Sequence, residues 1–593
     1  MNIKQNIFSG SRPQATPDLL PPQEAQTAQN CKLDKGDLRP CKDKSAILAV
    51  AGLTTPETLY LYGDNWITSD DDYDFARSPV AADTHKRLYF TGANEPRVSA
   101  DDIWSDPFDL STDYYKLGVP APVAAPVIDA GYATDDIYRA YVYSYVVRLG
   151  GADLEEGPPS AAISVTDYGS GNVTLSGFTE PPASREIGTI RIYRTNSSTS
   201  GAAAFQFVKE FQTATFTFAT DTIVDDIAEA DLGTDGPQPE TFVPPPTGLK
   251  GLIALVGGAM AGFVENVVYI SEPFQPHAWP YEYPVDATII GLSWFGSALV
   301  ALTDTHVYVL TGVPSVMDVT KFDGFYPCLS KHGIISDIGR EGGCIFPSEE
   351  GWAIVNQNGV KIISKSFIDP TSWRDDFAPS TTKGYFYEEK IFAFWSGGAY
   401  VIDFYNDKFT TLDITPDAAH QAEETGSFYM IMENEDATQP AYDHQVYKWE
   451  GSSSGFLKYT WKSKLFSLRN ITNFSAARIL RPVVSFDEID EIIAANAILM
   501  ATGDVGDALN SIDINSDEIN GDTLTAVSGV SITTDITFKL YGDGVLLHTE
   551  TVQDEEPFRL PGGVMYKYME YELSGYGPVR EISIATSIEE LDS

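Results

Sequence analysis

The run GLIALVGGAMAGFVENVVYI, residues 251–270, is the one stretch of this 593-residue chain long enough to resemble a membrane span. About 20 apolar residues would cross a bilayer as a helix. Gly257-Gly258 stands at its centre and Glu265-Asn266 near its end, and both pairs suit tight turns. The run therefore reads as three short strands joined by turns, and no membrane span is expected. Directly behind it, VYISEPFQPHAWP (residues 268–280) crowds three prolines, a histidine and two aromatics after a strand.

That second stretch is open to a functional and a structural reading. His277 between Phe274 and Trp279 could be a ligand or a base, but no second histidine or cysteine stands near it in sequence. Pro273, Pro276 and Pro280 each remove a ladder donor and fix φ, so the strand before them must stop. We read the six residues as a rigid corner between two β-units, with Phe274 and Trp279 anchored in the neighbouring one.

Outward from this point the same alternation of short strands and breaks continues. NVVYISEP, THVYVLTGVP, GVKIISKSF, GAYVIDFYNDKFTTLD and HQVYKWEGSSSGFLKYTW recur after turns, and TLYLYGDNWIT and RLYFTGANEPRV fit the same template. Strand-turn-strand units at such intervals are what propeller blades look like. Upstream, YRAYVYSYVVRL, GNVTLSGF, TIRIYRT, AFQFVKEF and ATFTFATDT have the spacing of a seven-strand sandwich. TFVPPPTGLKG closes that module as a stiff linker.

The expected fold is thus all-β and multi-domain, an irregular β-propeller with a fibronectin III/Ig-like sandwich and a small C-terminal β domain. The boundaries are an extended arm at 1–45 with one or two helical turns over 23–30, first propeller or platform strands at 46–118, the sandwich at 119–245, blades at 246–477, and the terminal domain at 478–593. Within the last, FDEIDEIIAANAILM reads as a short helix, and Asp543-Gly544 between alternating strands is the clearest hairpin signal in the chain.

Composition limits function. Lys and Arg number 39 against 84 Asp and Glu, a formal net charge of −45, which excludes a broad phosphate-binding face. The four cysteines form no CxxC pair and the seven histidines are scattered, so a zinc site is not expected and the thiols read as free and buried. SDDDYD (residues 69–74) could hold calcium or be a solvated turn, and we adopt the turn. Asp513–Glu518 begins like an EF-hand loop but has Glu518 where glycine is needed and Leu524 where the bidentate glutamate belongs. Gly451-Ser-Ser-Ser-Gly455 matches G-x-S-x-G in form only, since it joins two strands. No catalytic constellation and no cofactor is indicated, and the amino terminus lacks an apolar leader.

The order of parts carries a resemblance. The segments FSGSRPQATPDLLPPQEAQTAQNCKLDKGDLRP, YVYSYVVRLGGADLEEGPPS with TIRIYRT, LKGLIALVGGAMAGF with ISEPFQPHAWP, and FRLPGGVMYKYMEYELSG with REISIATSIEEL resemble tailed-bacteriophage virion proteins of the tail nozzle class, also called tail tubular protein B. The resemblance implies a homo-oligomeric ring, commonly six copies, below an adaptor under the portal, with contacts to tail fibres or other tail parts. It implies a propeller per subunit, a channel through which DNA passes without specific binding, location in the virion after synthesis in the host cytoplasm, and no enzymatic role. On this reading Asp70, Asp71, Asp72 and Asp74 are candidates to line the channel. A glycan-binding or glycan-degrading propeller is the alternative, suggested by 12% aromatic residues and the acidic loops.

Overall fold

A computed structural model describes the chain except residues 93–94, 106–107, 131–138, 166–171, 197–203, 339–341, 436–440, 453–454, 483–534 and 592–593. The expected helix at 486–500, the loop Asp513–Glu518 and Ser453 of the G-x-S-x-G match lie outside the described residues. The chain forms two compact units. One comprises Met1–Thr55, Pro347–Ala353 and Lys361–Ser593, and the other Pro56–Phe346 with Ile354–Val360.

The regular structure of the described residues is almost wholly β, in many small sheets. The apolar run at 251–270 forms three antiparallel strands, Lys250–Ala254, Met260–Val264 and Val267–Ile270. Gly257 and Gly258 have φ of 103° and 86°, and Glu265 has φ of 53°, so both expected turns use the left-handed region. No described helix is long and apolar enough to cross a membrane.

With Tyr281–Pro284 these strands make a four-stranded meander in sequence order. Two more such sheets follow, Ile289–Phe295 to Val316–Lys321 and Ile335–Ile338 to Gly359–Ile362, and Lys383–Tyr387 to Lys408–Leu412 repeat the meander as one end of a larger sheet. In a further sheet Ala418–Gln421, Phe428–Glu433 and His444–Lys448 take Ser45–Val50 as their fourth strand. Most positions that these strands turn inward are Val, Ile, Leu, Phe or Ala, and Ala298–Thr303 is buried at every residue. The single α-helix among the described residues, Pro370–Asp376, passes unnoticed in a β-pattern reading. Asp369 caps it by accepting from the backbone of Thr371 at 2.9 Å and Ser372 at 3.2 Å, Pro370 starts it, and Trp373 buries it.

In the Pro56–Phe346 unit, residues 127–225 form two antiparallel sheets. Val127–Ala130, Val173–Ser176 and Ile223–Asp225 make one. Ala152–Glu156, Arg139–Leu149, Ile187–Thr195 and Phe205–Gln212 make the other, with Ile163–Val165 beside the long strand. Tyr141, Tyr143, Tyr145 and Val147 share one core with Val173 and Leu175 of the facing sheet. The expected strand ATFTFATDT is not one: residues 213–215 are a 3-10 turn, Phe216 packs against Phe211 and Phe178, and Phe218 meets Phe216 edge-on. Alternating aromatics there bury rings without a ladder partner.

Two expected boundaries fail in the other unit. Residues 1–45 are no extended arm. Asn2–Gln5 pairs with Glu581–Ala585, and Ala25–Gln29, the segment read as helical, is a strand between Lys408–Leu412 and Tyr459–Ser463 in a ten-stranded sheet. Phe8, Ala25, Ala28, Leu33 and Leu38 are buried in its main core. Nor do residues 478–593 form a separate domain, because strand Ala476–Leu480 crosses that boundary and the strands beyond it share sheets with residues 2–5 and 25–29. The Asp543-Gly544 hairpin is present, with φ of 48° and 81° at the two turn residues.

Candidate functional site

The acidic turn after strand Asn65–Ser69 divides in two. Asp71 is exposed. Asp72 and Asp74 each meet Lys331 Nζ at 2.8 Å, and Asp74 also accepts from the Gly251 backbone N–H at 2.9 Å. Burial opposes charge on Lys331, but Asp74 and Asp72 together hold its ammonium above the ordinary value. Asp74 is therefore a tie between the start of a strand and the first meander. Asp74→Ala should lower stability by about 1–3 kcal/mol, the cost of leaving polar partners unmatched, while Asp71→Ala should stay within about 0.5 kcal/mol of wild type. Urea denaturation compares the two, and equal losses would refute the distinction.

The proline-rich stretch is a loop within one meander rather than a corner between two. Strand Val267–Ile270 ends where the prolines require, and the chain returns to pair Ile270 with Tyr281. Trp279 is buried, donates from Nε1 to the Pro276 carbonyl at 2.8 Å, and packs in the core shared with Tyr143 and Val147. Phe274 does not anchor anything inward. It is 59% exposed, and its φ of 60° is an outlier for a bulky side chain. Its N–H donates to the Gly258 carbonyl at 2.7 Å, and its ring covers Gly258 so closely that a Cβ there would lie 2.5 Å from it.

His277 leads to a cleft that sequence reasoning missed. The long strand Arg139–Leu149 sends its odd residues into the core and turns Ser144 and Val146 to the opposite face. Register places Arg191 opposite Ser144 and Glu156 opposite Val146, so these charges share that face at the sheet's edge strand, Ala152–Glu156. The cleft has a volume of about 370 Å³, and Arg87, Asp153, Glu155, Glu156, Arg191 and His277 are among its lining residues, with Phe274 at the same wall.

Its electrostatics are tightly arranged. Arg87, buried, bonds Asp83 from Nε at 2.7 Å and Glu155 at 2.6 Å. Arg191 bonds Glu156 at 3.0 Å, Asp153 at 3.2 Å and Glu210 at 3.1 Å. Glu156 further accepts from Ser144 at 2.5 Å and Tyr193 at 2.6 Å. The Nε2 of His277 lies 3.2 Å from the Glu156 carbonyl, which can only accept, so Nε2 carries the proton and Nδ1 a lone pair. Burial pushes the imidazole below its ordinary value, against the pull of Glu155. The ring is then neutral at pH 7, and it covers a carbonyl of an otherwise open sheet edge.

Among the described residues one further group, His85 with Asp101 and Asp102, brings potential cation ligands within 4.8 Å. His85 is hydrogen-bonded to Asp102, and Lys86 lies 3.6 Å from Asp101. The four cysteines are buried and unbridged, and burial pushes the thiols of Cys41 and Cys344 up to about 12. Ser452, beside the formal nucleophile position, accepts the Gly455 N–H at 2.8 Å.

No protein-family profile matches the chain, and no curated protein matches it. Among solved structures, the AfRom2 CNH domain is 9% identical over 68% of this chain and 98% of its own, with a TM-score of 0.28. PorZ, described as a bacterial surface component of the type-IX secretion system of Porphyromonas gingivalis, is 9% identical over 85% of this chain and 82% of its own, with a TM-score of 0.24. Hsv2 of Kluyvelomyces marxianus is 11% identical over 44% and 68%, with a TM-score of 0.21. Likeness at this level assigns the chain neither a family nor a function.

Proposed function

We propose that the chain is a structural subunit of a bacteriophage tail, forming an oligomeric ring that conducts or closes the channel for genome ejection and joins the head-tail adaptor to distal tail parts. The observation that carries the reading is charge: 84 acidic against 39 basic residues suit a wall past which a phosphate backbone must slide without binding. The resemblance in segment order supports it, and the succession of four-stranded meanders suits a propeller body with residues 127–225 as a fibronectin-like module. Of Asp70, Asp71, Asp72 and Asp74, the exposed Asp71 is the foremost channel-wall candidate, since Asp72 and Asp74 are engaged by Lys331. Negative-stain microscopy of the purified protein mixed with its adaptor should show rings with a central hole. A monomer that persists alone and in the mixture would refute the reading.

A second reading, a glycan-binding or glycan-degrading protein, is favoured by one observation, the exposed Phe274 beside carboxylates in a cleft. A glycan array with a polysaccharide-degradation assay separates the two, since a conduit is silent in both.

A further inference from the structure

The ten-stranded sheet carries an apolar rim at one end. Tyr566–Gly575 pairs there with Ile536–Gly542 along one side and with Phe466–Thr472 along the other, and Val545 stands opposite Gly542 across the hairpin turn. Ile471, Val545, Leu546, Val564, Met565 and Tyr568 gather at this end, each 40–66% exposed. Apolar groups gathered in one place, rather than scattered singly, mark a surface that something covers. The rim is firmly built. Asp543 accepts the Lys567 N–H at 3.1 Å and the Tyr568 N–H at 2.9 Å, and its own N–H donates to the Tyr568 carbonyl at 2.9 Å. Between Ser467 and Thr472 the facing strand supplies only Lys567, so the chain bulges, Leu468 turns into the core, and Arg469, Asn470 and Ile471 are pushed out to solvent.

Charge at the rim runs against the charge of the chain. Residues 466–472 and 561–569 contain Arg469 and Lys567 and no Asp or Glu, in a chain with 84 acidic against 39 basic residues. Both cations are exposed, and among the described residues neither is in an ion pair; the Lys567 ammonium lies 5.9 Å from the centroid of the Tyr568 ring. The Asp543 carboxylate on the adjoining turn is committed to backbone N–H groups. What covers the rim is therefore apolar at its centre and acidic at its edge. An anionic bilayer would be repelled by a net charge of −45, whereas the chain itself is such an acidic partner. Rim-to-rim pairing would set Arg469 and Lys567 of one copy against the same cations of the other. The rim of one copy thus meets a different, acidic surface of the next, a head-to-tail contact of the kind that closes into rings.

We propose that the rim around Ile471, Met565 and Tyr568, flanked by Arg469 and Lys567, is the surface through which one copy of this chain docks head-to-tail on an acidic surface of a second copy. The proposal rests on the ring reading for the presence of a neighbouring copy, while the place of the contact comes from the rim alone.

Analytical ultracentrifugation of the full chain, alone and with its adaptor, tests it. In Ile471→Glu with Met565→Glu, the dissociation constant of self-association should rise at least about tenfold, since two aliphatic groups buried at the contact are exchanged for charges. Arg469→Glu with Lys567→Glu should raise it about two- to tenfold, the range for charges at the edge of a contact. All four positions are exposed, so the urea midpoints should match wild type. Should the first pair fail to fold, the second carries the test, because it leaves the apolar groups in place. A mixture of wild type and the charge-reversed variant that associates more tightly than either alone would show rim-to-rim pairing and overturn the proposal. Wild-type self-association kept by both variants would also overturn it and leave the ring reading standing. If the substitutions abolish cosedimentation with phosphatidylglycerol vesicles, or binding of the adaptor, while self-association is untouched, the rim belongs to a lipid surface or to a different polypeptide and the proposal falls. A wild-type chain that stays monomeric alone and with its adaptor removes the ring reading and this proposal together.

Discussion

Arg194→Met should destabilise the two-sheet module by about 3–5 kcal/mol, the cost of leaving one buried charge without its partner. Arg194 is fully buried in strand Ile187–Thr195, and it is paired with Asp225, 1% exposed, on the last strand of the facing sheet. Tyr141 donates to the same carboxylate at 2.7 Å, and Arg194 also donates to the Ile227 carbonyl at 2.9 Å. This ion pair thus crosses from one sheet to the other at the edge of the core. Removing the guanidinium strands Asp225 in low dielectric, and against a stability of about 5–15 kcal/mol for a whole domain the loss is large. Replacing both partners, as Arg194→Met with Asp225→Leu, should recover much of it, because the desolvation cost disappears with the charges. Hydrogen exchange of the strands 139–149 and 187–195 reports the module within the full chain. Wild-type protection in the single variant would show that the pair contributes nothing.

Trp461→Ala should cost about 3–5 kcal/mol, as for other large aromatic deletions from cores. The ring is fully buried, meets Phe8 edge-on at 5.0 Å and Tyr571 at 5.9 Å, and donates from Nε1 to the Ser9 carbonyl at 3.0 Å. Its strand pairs with Ala25–Gln29, so the indole clamps the N-terminal segment from two sides. The variant should release residues 1–45 to limited proteolysis well before the rest of the chain is cut. An arm that orders only on a neighbouring subunit would behave oppositely, cut equally in both proteins when monomeric.

That contrast shows where sequence reading loses reach. Turns are local, and Gly257-Gly258, Glu265-Asn266 and Asp543-Gly544 name themselves because their φ values depend on adjacent residues. The N-terminal strand is not local. AQTAQ carries only small and polar side chains, and it is a strand because partners more than 370 residues away offer it two ladders. Phe274 and His277 were singled out from the run of prolines, but what they face was hidden. Arg87, Asp153, Glu155, Glu156 and Arg191 come from three separate segments, and in a chain with 84 acidic residues two more glutamates in LEEGPPS raise no signal. Only the register of the long strand against both neighbours brings Glu156 and Arg191 to one face.

The pairing of residues 2–5 with residues 581–585 has a temporal meaning. Asn2–Gln5 waits for Glu581–Ala585, and the Met1 ammonium meets Glu590 at 2.7 Å. On the ribosome the unit of Pro56–Phe346 and Ile354–Val360 can close once its own residues have emerged, while the unit that holds residues 2–5 and 581–585 stays unfinished. At about 5–20 residues per second the delay is roughly ten to fifty seconds. During that interval residues 2–5 are a strand edge without their neighbour, and it is then that a nascent copy is most open to pairing with the wrong chain.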